Sequence, residues 1–195
     1  MEESLRINFK GPFSWAEGEN VPSILDVAVG QRPGIYLWTV SLHDGHLVYY
    51  VGQTGHSFRD RLLEHYQLHA ACMYPLYEPA AFARGKKICL WPGLWHKSNR
   101  RSAVECIRYF HKAHAIVSQL TEICRFLVAP LDFNGRLRER IEGAISSALA
   151  HAPKPAGAFQ DTGLRYRPRR KGDQPLTCMV SSAVTLIGLP RQLEV

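Results

Sequence analysis

The sequence predicts an α+β domain, a small antiparallel-containing sheet flanked by helices, and three stretches predict it. Residues 35–40 and 47–51 are rich in β-branched and aromatic side chains and are joined through Asp44-Gly45, which predicts a β-hairpin. Ser57 stands three residues before Asp60, a capping-box spacing that predicts a helix over 59–71. A strand-like run at 123–131, containing Cys124, Phe126, Leu127 and Val128 and stopped by Pro130, precedes Leu137, Ile141, Ala144, Ile145 and Ala148 at helical spacing. The predicted order is strand, strand, helix, strand, helix.

Each element carries a face. In the first helix Phe58, Leu62 and Tyr66 form the apolar side, and Arg61, His65 and His69 recur every fourth residue along its border, so their side chains line up. In the second helix Glu142 flanks the apolar stripe, and the helix must end before Pro153 and Pro155. In the hairpin, a regular two-residue turn at Asp44-Gly45 would set His43 opposite His46 and put Tyr49 on the face of Tyr36. An odd-length loop or one β-bulge would bring Tyr50 there instead. Residues 67–122 read as an insertion, broken early by Pro75, Pro79, Gly85, Pro92 and Gly93 and then helical over 102–120. Residues 151–195 read as a basic extension with a strand over 176–187.

At 195 residues and 46% hydrophobic content the chain suits one domain with a complete core. Residues 1–20 hold no apolar run suited to a signal peptide or membrane anchor, so a cytoplasmic protein without membrane attachment is expected. Cys72, Cys89, Cys106, Cys124 and Cys178 are odd in number and widely spaced, which suits reduced thiols and offers no CxxC zinc pair. The net charge of +7 favours a polyanionic partner. The positive charge is grouped, at Lys97, Arg100 and Arg101, at Arg165, Arg167, Arg169, Arg170 and Lys171, and at Arg84, Lys86 and Lys87. The first two groups are the expected contacts to the phosphates of a nucleic acid.

Gly34-Ile35-Tyr36, Tyr50-Val51-Gly52, the Arg61 and His65 pair and Glu142 together resemble the GIY-YIG nuclease family. The resemblance covers 33–65 closely and 123–149 loosely, with a core of about 33–66 and 123–150 in a single domain spanning 1–195. It implies a metal-dependent endonuclease acting on DNA phosphodiester bonds, with Tyr36, Tyr50, Arg61, His65 and Glu142 as the catalytic set. Tyr36 would be the general base, Tyr50 would orient water or phosphate, and Arg61 would fork onto a nonbridging phosphate oxygen. His65 would hold a tyrosine hydroxyl, and Glu142 would hold one Mg²⁺ or Mn²⁺ that keeps several waters. Two copies would pair if both strands of a duplex are cut. The chain departs from the family pattern in having Gln53 after Val51-Gly52 and no asparagine after Asn134, where Gln160 or Asp161 would substitute. The alternative reading is an inactive nucleic-acid-binding module that keeps the same fold.

Overall fold

The computed structural model describes residues 4–16, 21–94, 103–132, 134–160 and 170–195. Its strands are Ser4–Phe13 (β1), Gly34–Leu42 (β2), Gly45–Thr54 (β3), Leu76–Tyr77 (β4), Cys89–Trp91 (β5), Cys124–Pro130 (β6), Thr177–Ser182 (β7), Leu186–Ile187 (β8) and Gln192–Glu194 (β9). Its α-helices are Phe58–Ala70 (α1), Pro79–Phe82 (α2), Ala103–Ile123 (α3), Gly135–His151 (α4) and Ala156–Phe159 (α5). The expected strand, strand, helix, strand, helix order is therefore present as β2, β3, α1, β6 and α4, with other elements added around it.

The sheet is larger than the small one expected from the sequence. Seven strands run in the order β8-β3-β2-β6-β1-β7-β9, and β4 and β5 form a separate pair. The central strands β3, β2, β6 and β1 pair antiparallel with one another, whereas β7 joins β1 and β8 joins β3 in parallel. Strand β1 falls in the stretch that composition left without structure. It alternates, with Ile7 and Phe9 buried and Arg6, Asn8 and Lys10 exposed. The predicted strand at 176–187 divides into β7 and β8, and the expected basic extension supplies three strands in all.

Strand β2 lies inside the sheet and is buried on both faces from Gly34 to Val40, as an unbroken apolar run requires. Its side chains alternate between two cores. Ile35 and Leu37 join Leu127, Ala129 and the α4 residues Ile141, Ile145 and Leu149 on one face. Tyr36 and Trp38 join Phe126, Val128 and the α1 residues Phe58 and Leu62 on the other. A third cluster packs Val40 and Leu47 under Phe82, Trp91, Val117 and Phe159, so the insertion closes over one end of the hairpin.

Two local features set the positions of the functional side chains. Ser57 caps α1, its hydroxyl accepting from Asp60 N–H at 3.0 Å as the spacing predicted. The hairpin pairs Leu42 with Gly45, leaving His43-Asp44 as the turn rather than Asp44-Gly45. A bulge then intervenes, because Thr39 faces Val48 while Trp38 faces Tyr50 and Tyr36 faces Gly52. Tyr49 is the extra residue, and Tyr50 comes to the Tyr36 face.

Candidate active site

Tyr36 is the centre of the site. Its ring is 1% exposed and lies across Gly52, its partner on β3, where a Cβ would stand 2.4 Å from both Cζ and Oη of the tyrosine. Glycine at 52 is thus required by the ring it faces. Gly34 answers a different demand, since with φ +151° a Cβ there would stand 2.1 Å from the Ala129 carbonyl oxygen on β6. Gly34 thus lets β2 approach β6 closely, and Gly52 makes room for the Tyr36 ring across the hairpin.

Helix α1 brings the polar partners. His65, 4% exposed, sets Nε2 2.8 Å from Tyr36 Oη, and Arg61 donates from Nε to the same oxygen at 3.4 Å. Tyr50 is a further hydrogen-bond partner of that hydroxyl, with its ring 6.3 Å from the Tyr36 ring. Arg61 also donates from Nη1 to Glu64 Oε2 at 2.6 Å and leaves 37% of its side chain exposed. With Arg61 and Tyr50 supplying donors to the oxygen, the Tyr36 proton points to His65, which must then carry its own proton on Nδ1.

Glu142 reaches this group from α4. Among the described residues no strand pairs with the outer edge of β3 beyond His46 and Leu47, and the Gln53 backbone N–H donates to the Glu142 carboxylate. Arg61 and Glu142 attract one another, and Glu142 also acts on Tyr36. Of the predicted set, Tyr36, Tyr50, Arg61, His65 and Glu142 all converge. Tyr49 goes elsewhere, its hydroxyl 2.9 Å from Cys124 Sγ and its ring 4.9 Å from Phe82.

Burial dominates the protonation states. It pushes Tyr36 up to about 12, against hydrogen bonds and charge from Arg61 and the Tyr50 hydrogen bond. It pulls His65 down to about 3, helped by the charge of Arg61, so the imidazole is neutral. It lifts Glu142 to about 7, against the Gln53 N–H bond and Arg61. For Arg61 burial opposes the charge, but the bonds to Glu64 and Tyr36 outweigh it and hold its pKa above the ordinary arginine value. The gap between Tyr36 and His65 leaves the shared proton on the tyrosine.

No protein-family model, curated protein or solved structure matches this chain. The geometry alone therefore carries the functional argument. Among the described residues no three His, Cys, Asp or Glu side chains gather as metal ligands. A tightly caged zinc does not fit such a donor set, whereas one carboxylate with free coordination suits a hydrated Mg²⁺ or Mn²⁺. Glu142, held at about 7 by burial, is a carboxylate that a nearby cation would help to ionise. Among the described residues no helix is long and apolar enough to cross a membrane.

The basic groups are only partly in view. Lys97, Arg100, Arg101, Arg165, Arg167 and Arg169 lie outside the described residues. Arg170 lies 3.6 Å from Glu139 on α4, and Lys171 is exposed beside it. Sequence reasoning missed Arg138, one turn before Glu142, whose guanidinium reaches the loop after β3 and would stand 3.0 Å from a Cβ on Gly55. The four-residue spacing to Glu142 was its available signal. It also missed Tyr74 and Trp38, whose rings pack 5.7 Å and 5.5 Å from His65. Neither position had a sequence cue, because Tyr74 follows α1 in an irregular stretch and Trp38 reads as an ordinary strand residue.

Proposed function

We propose that the chain is a metal-dependent endonuclease of the GIY-YIG type that hydrolyses DNA phosphodiester bonds. The observation that supports this best is the Tyr36 hydroxyl, 2.8 Å from His65 Nε2, receiving Arg61 Nε and lying within the field of Glu142. A structural tyrosine in a buried strand needs one hydrogen-bond partner. This one has three, drawn from the neighbouring strand and from α1.

Arg61 is anchored by Glu64 yet retains exposed guanidinium, so it holds a nonbridging phosphate oxygen and draws charge from the reacting phosphorus. Tyr50 shares the Tyr36 hydrogen bond and orients the attacking water against it. Tyr36 acts as the base in its minor phenolate form, its own proton having passed to bulk water; Arg61 and Tyr50 stabilise that phenolate, which then accepts the proton of the attacking water. His65 stays neutral and fixes the direction of the Tyr36 hydroxyl. Glu142 would hold the divalent cation, which when bound supplies positive charge to the departing oxygen and offsets the carboxylate charge that raises Tyr36.

Incubation of supercoiled plasmid with purified protein in Mg²⁺, Mn²⁺ or EDTA tests this directly. Cutting should require the metal, and Tyr36→Phe and Glu142→Gln should each slow it by about 10²–10⁴ while DNA binding persists. Salt-dependent binding with no cutting in any metal would instead assign the chain to the inactive binding module.

A further inference from the structure

Next to the proposed reaction site lies a half-open cavity of about 150 Å³ whose walls include Trp38, Tyr50, His69, Tyr74, Tyr77 and Phe82. It is not a separate feature, since Tyr50 and His65 line it and also bond to Tyr36. Its walls are almost wholly aromatic. Trp38 and His69 lie 5.6 Å apart by ring centroid, His69 and Tyr74 lie 5.0 Å apart, and Tyr77 is stacked on Phe82 at 5.4 Å and 5°.

Three properties define what such a cavity takes. Flat rings on several sides favour a planar aromatic guest over a sugar or a branched aliphatic chain. His69 in the wall adds ring nitrogens, so the guest should carry polar ring atoms. Lys87 lines the same cavity, its Nζ donating to the Phe159 carbonyl at 2.7 Å and lying 5.2 Å from the Tyr77 ring, which places positive charge beside the guest. Heterocycle, polar ring edge and attached negative charge together describe a nucleotide. The volume admits one ring system rather than a stacked pair.

We propose that this cavity receives one unstacked nucleobase, that of a nucleotide adjoining the scissile phosphate, so that the substrate is single-stranded or locally unpaired DNA. A paired base cannot enter because its stack and its complement hold it in the duplex. Tyr50 and His65 stand between base and phosphate, so seating the base aligns the phosphate against Tyr36 and Arg61. The inference rests on the phosphodiester reading, but it is tested through binding rather than cutting.

Affinities are measured in EDTA for four probes: a fully paired duplex, the same duplex with one bulged nucleotide, that bulge with its base removed, and a short single strand. Tyr74→Ala should weaken binding of the bulged duplex by about fivefold or more, and Tyr74→Phe should not. Removing the bulged base should cost the wild-type protein a similar factor and cost Tyr74→Ala almost nothing, because both changes delete one interaction. The single strand responding like the bulge would show that strand ends and extruded bases both enter. Equal affinity for paired and bulged duplex, unchanged by Tyr74→Ala, would overturn the base site while leaving plasmid cutting untouched. Tyr74-dependent capture of the bulged base without plasmid cutting in Mg²⁺ would retain the base site and remove the hydrolytic reading.

Discussion

Gly52 shows how narrowly single residues are constrained at this site. Its backbone is ordinary strand, so only the Tyr36 ring, 2.4 Å from where a Cβ would stand, excludes a side chain. Gly52→Ala must push that ring aside, and the ring has Phe58, Tyr50 and His65 around it at centroid distances of 5.8–6.5 Å. Overpacking of this kind costs about 1–3 kcal/mol, and a displaced hydroxyl loses its 2.8 Å contact with His65. Urea denaturation should show the stability loss, with plasmid cutting reduced at least tenfold. Wild-type stability together with wild-type cutting would mean that Tyr36 has room to move and is not held as described. Arg61 and His65 were legible in the sequence as side chains one helical turn apart behind a cap, whereas Tyr36, 29 residues before His65, was singled out by the GIY-YIG resemblance and not by spacing. Glu142 was legible as a flanking carboxylate, but its bond to Gln53 N–H was not, because an unpaired strand edge exists only once the sheet is assembled.

Among the elements, the hairpin and α1 do most to arrange the site. The sequence located both, yet it left open which tyrosine turns toward Tyr36. That choice depends on a bulge between Trp38 and Thr39, a detail of pairing that period-2 alternation does not encode. The bulge is stabilised by what Tyr49 meets afterwards, Cys124 on β6 and Phe82 from the insertion, both remote in sequence. Helix α1 was the more predictable element because its first turn carries its own instruction. Ser57 accepts from Asp60 N–H, and Arg61 N–H, one residue on, bonds the Ser57 carbonyl at 3.2 Å. Ser57→Ala removes the side-chain cap and should cost about 1 kcal/mol in denaturant unfolding, with Ser57→Asp restoring most of it. The first turn holds Arg61 while His65 is locked a turn later in the core, so the cut rate should fall through both a higher KM and a lower kcat, the kcat loss staying well below that of Tyr36→Phe. A kcat loss matching that of Tyr36→Phe would show instead that the cap orders the whole catalytic group.

For the whole molecule, the sequence foretold an α+β core but not the breadth of its sheet. Strand β1 pairs in parallel with β7, register Ile7 to Val180, across more than half the chain, and no local pattern announces a partner so distant. The site's burial has a consequence for the stability of the entire fold. His65 titrates at about 3 and His69 at about 4, both lowered from 6.5 chiefly by burial, and His46 is lowered in the same direction. Glu142 moves the other way, from 4.5 to about 7. Between pH 4.5 and 6.5 the unfolded chain therefore binds protons on His65 and His69 that the native chain refuses, while the native chain keeps one on Glu142. Near pH 5 the unfolded state binds about one proton more, so stability rises there by about 1.4 kcal/mol per pH unit, and the slope shrinks as the unfolded histidines titrate around 6.5. At pH 6.5 the two unfolded histidines are still about half protonated and together outweigh the proton on Glu142, so stability goes on rising slightly until about pH 7 and is then nearly level. Denaturant unfolding at pH 5, 6.5 and 8 should accordingly find a clear gain from 5 to 6.5 and little change from 6.5 to 8. In Glu142→Gln the acid limb should steepen by about the same 1.4 kcal/mol per pH unit and the gain should continue past pH 6.5, because the opposing proton is gone. Stability that falls from pH 5 to 6.5 would mean that His65 and His69 are hydrated in the native state, and the hydrogen bond that aims Tyr36 would lose its dry setting.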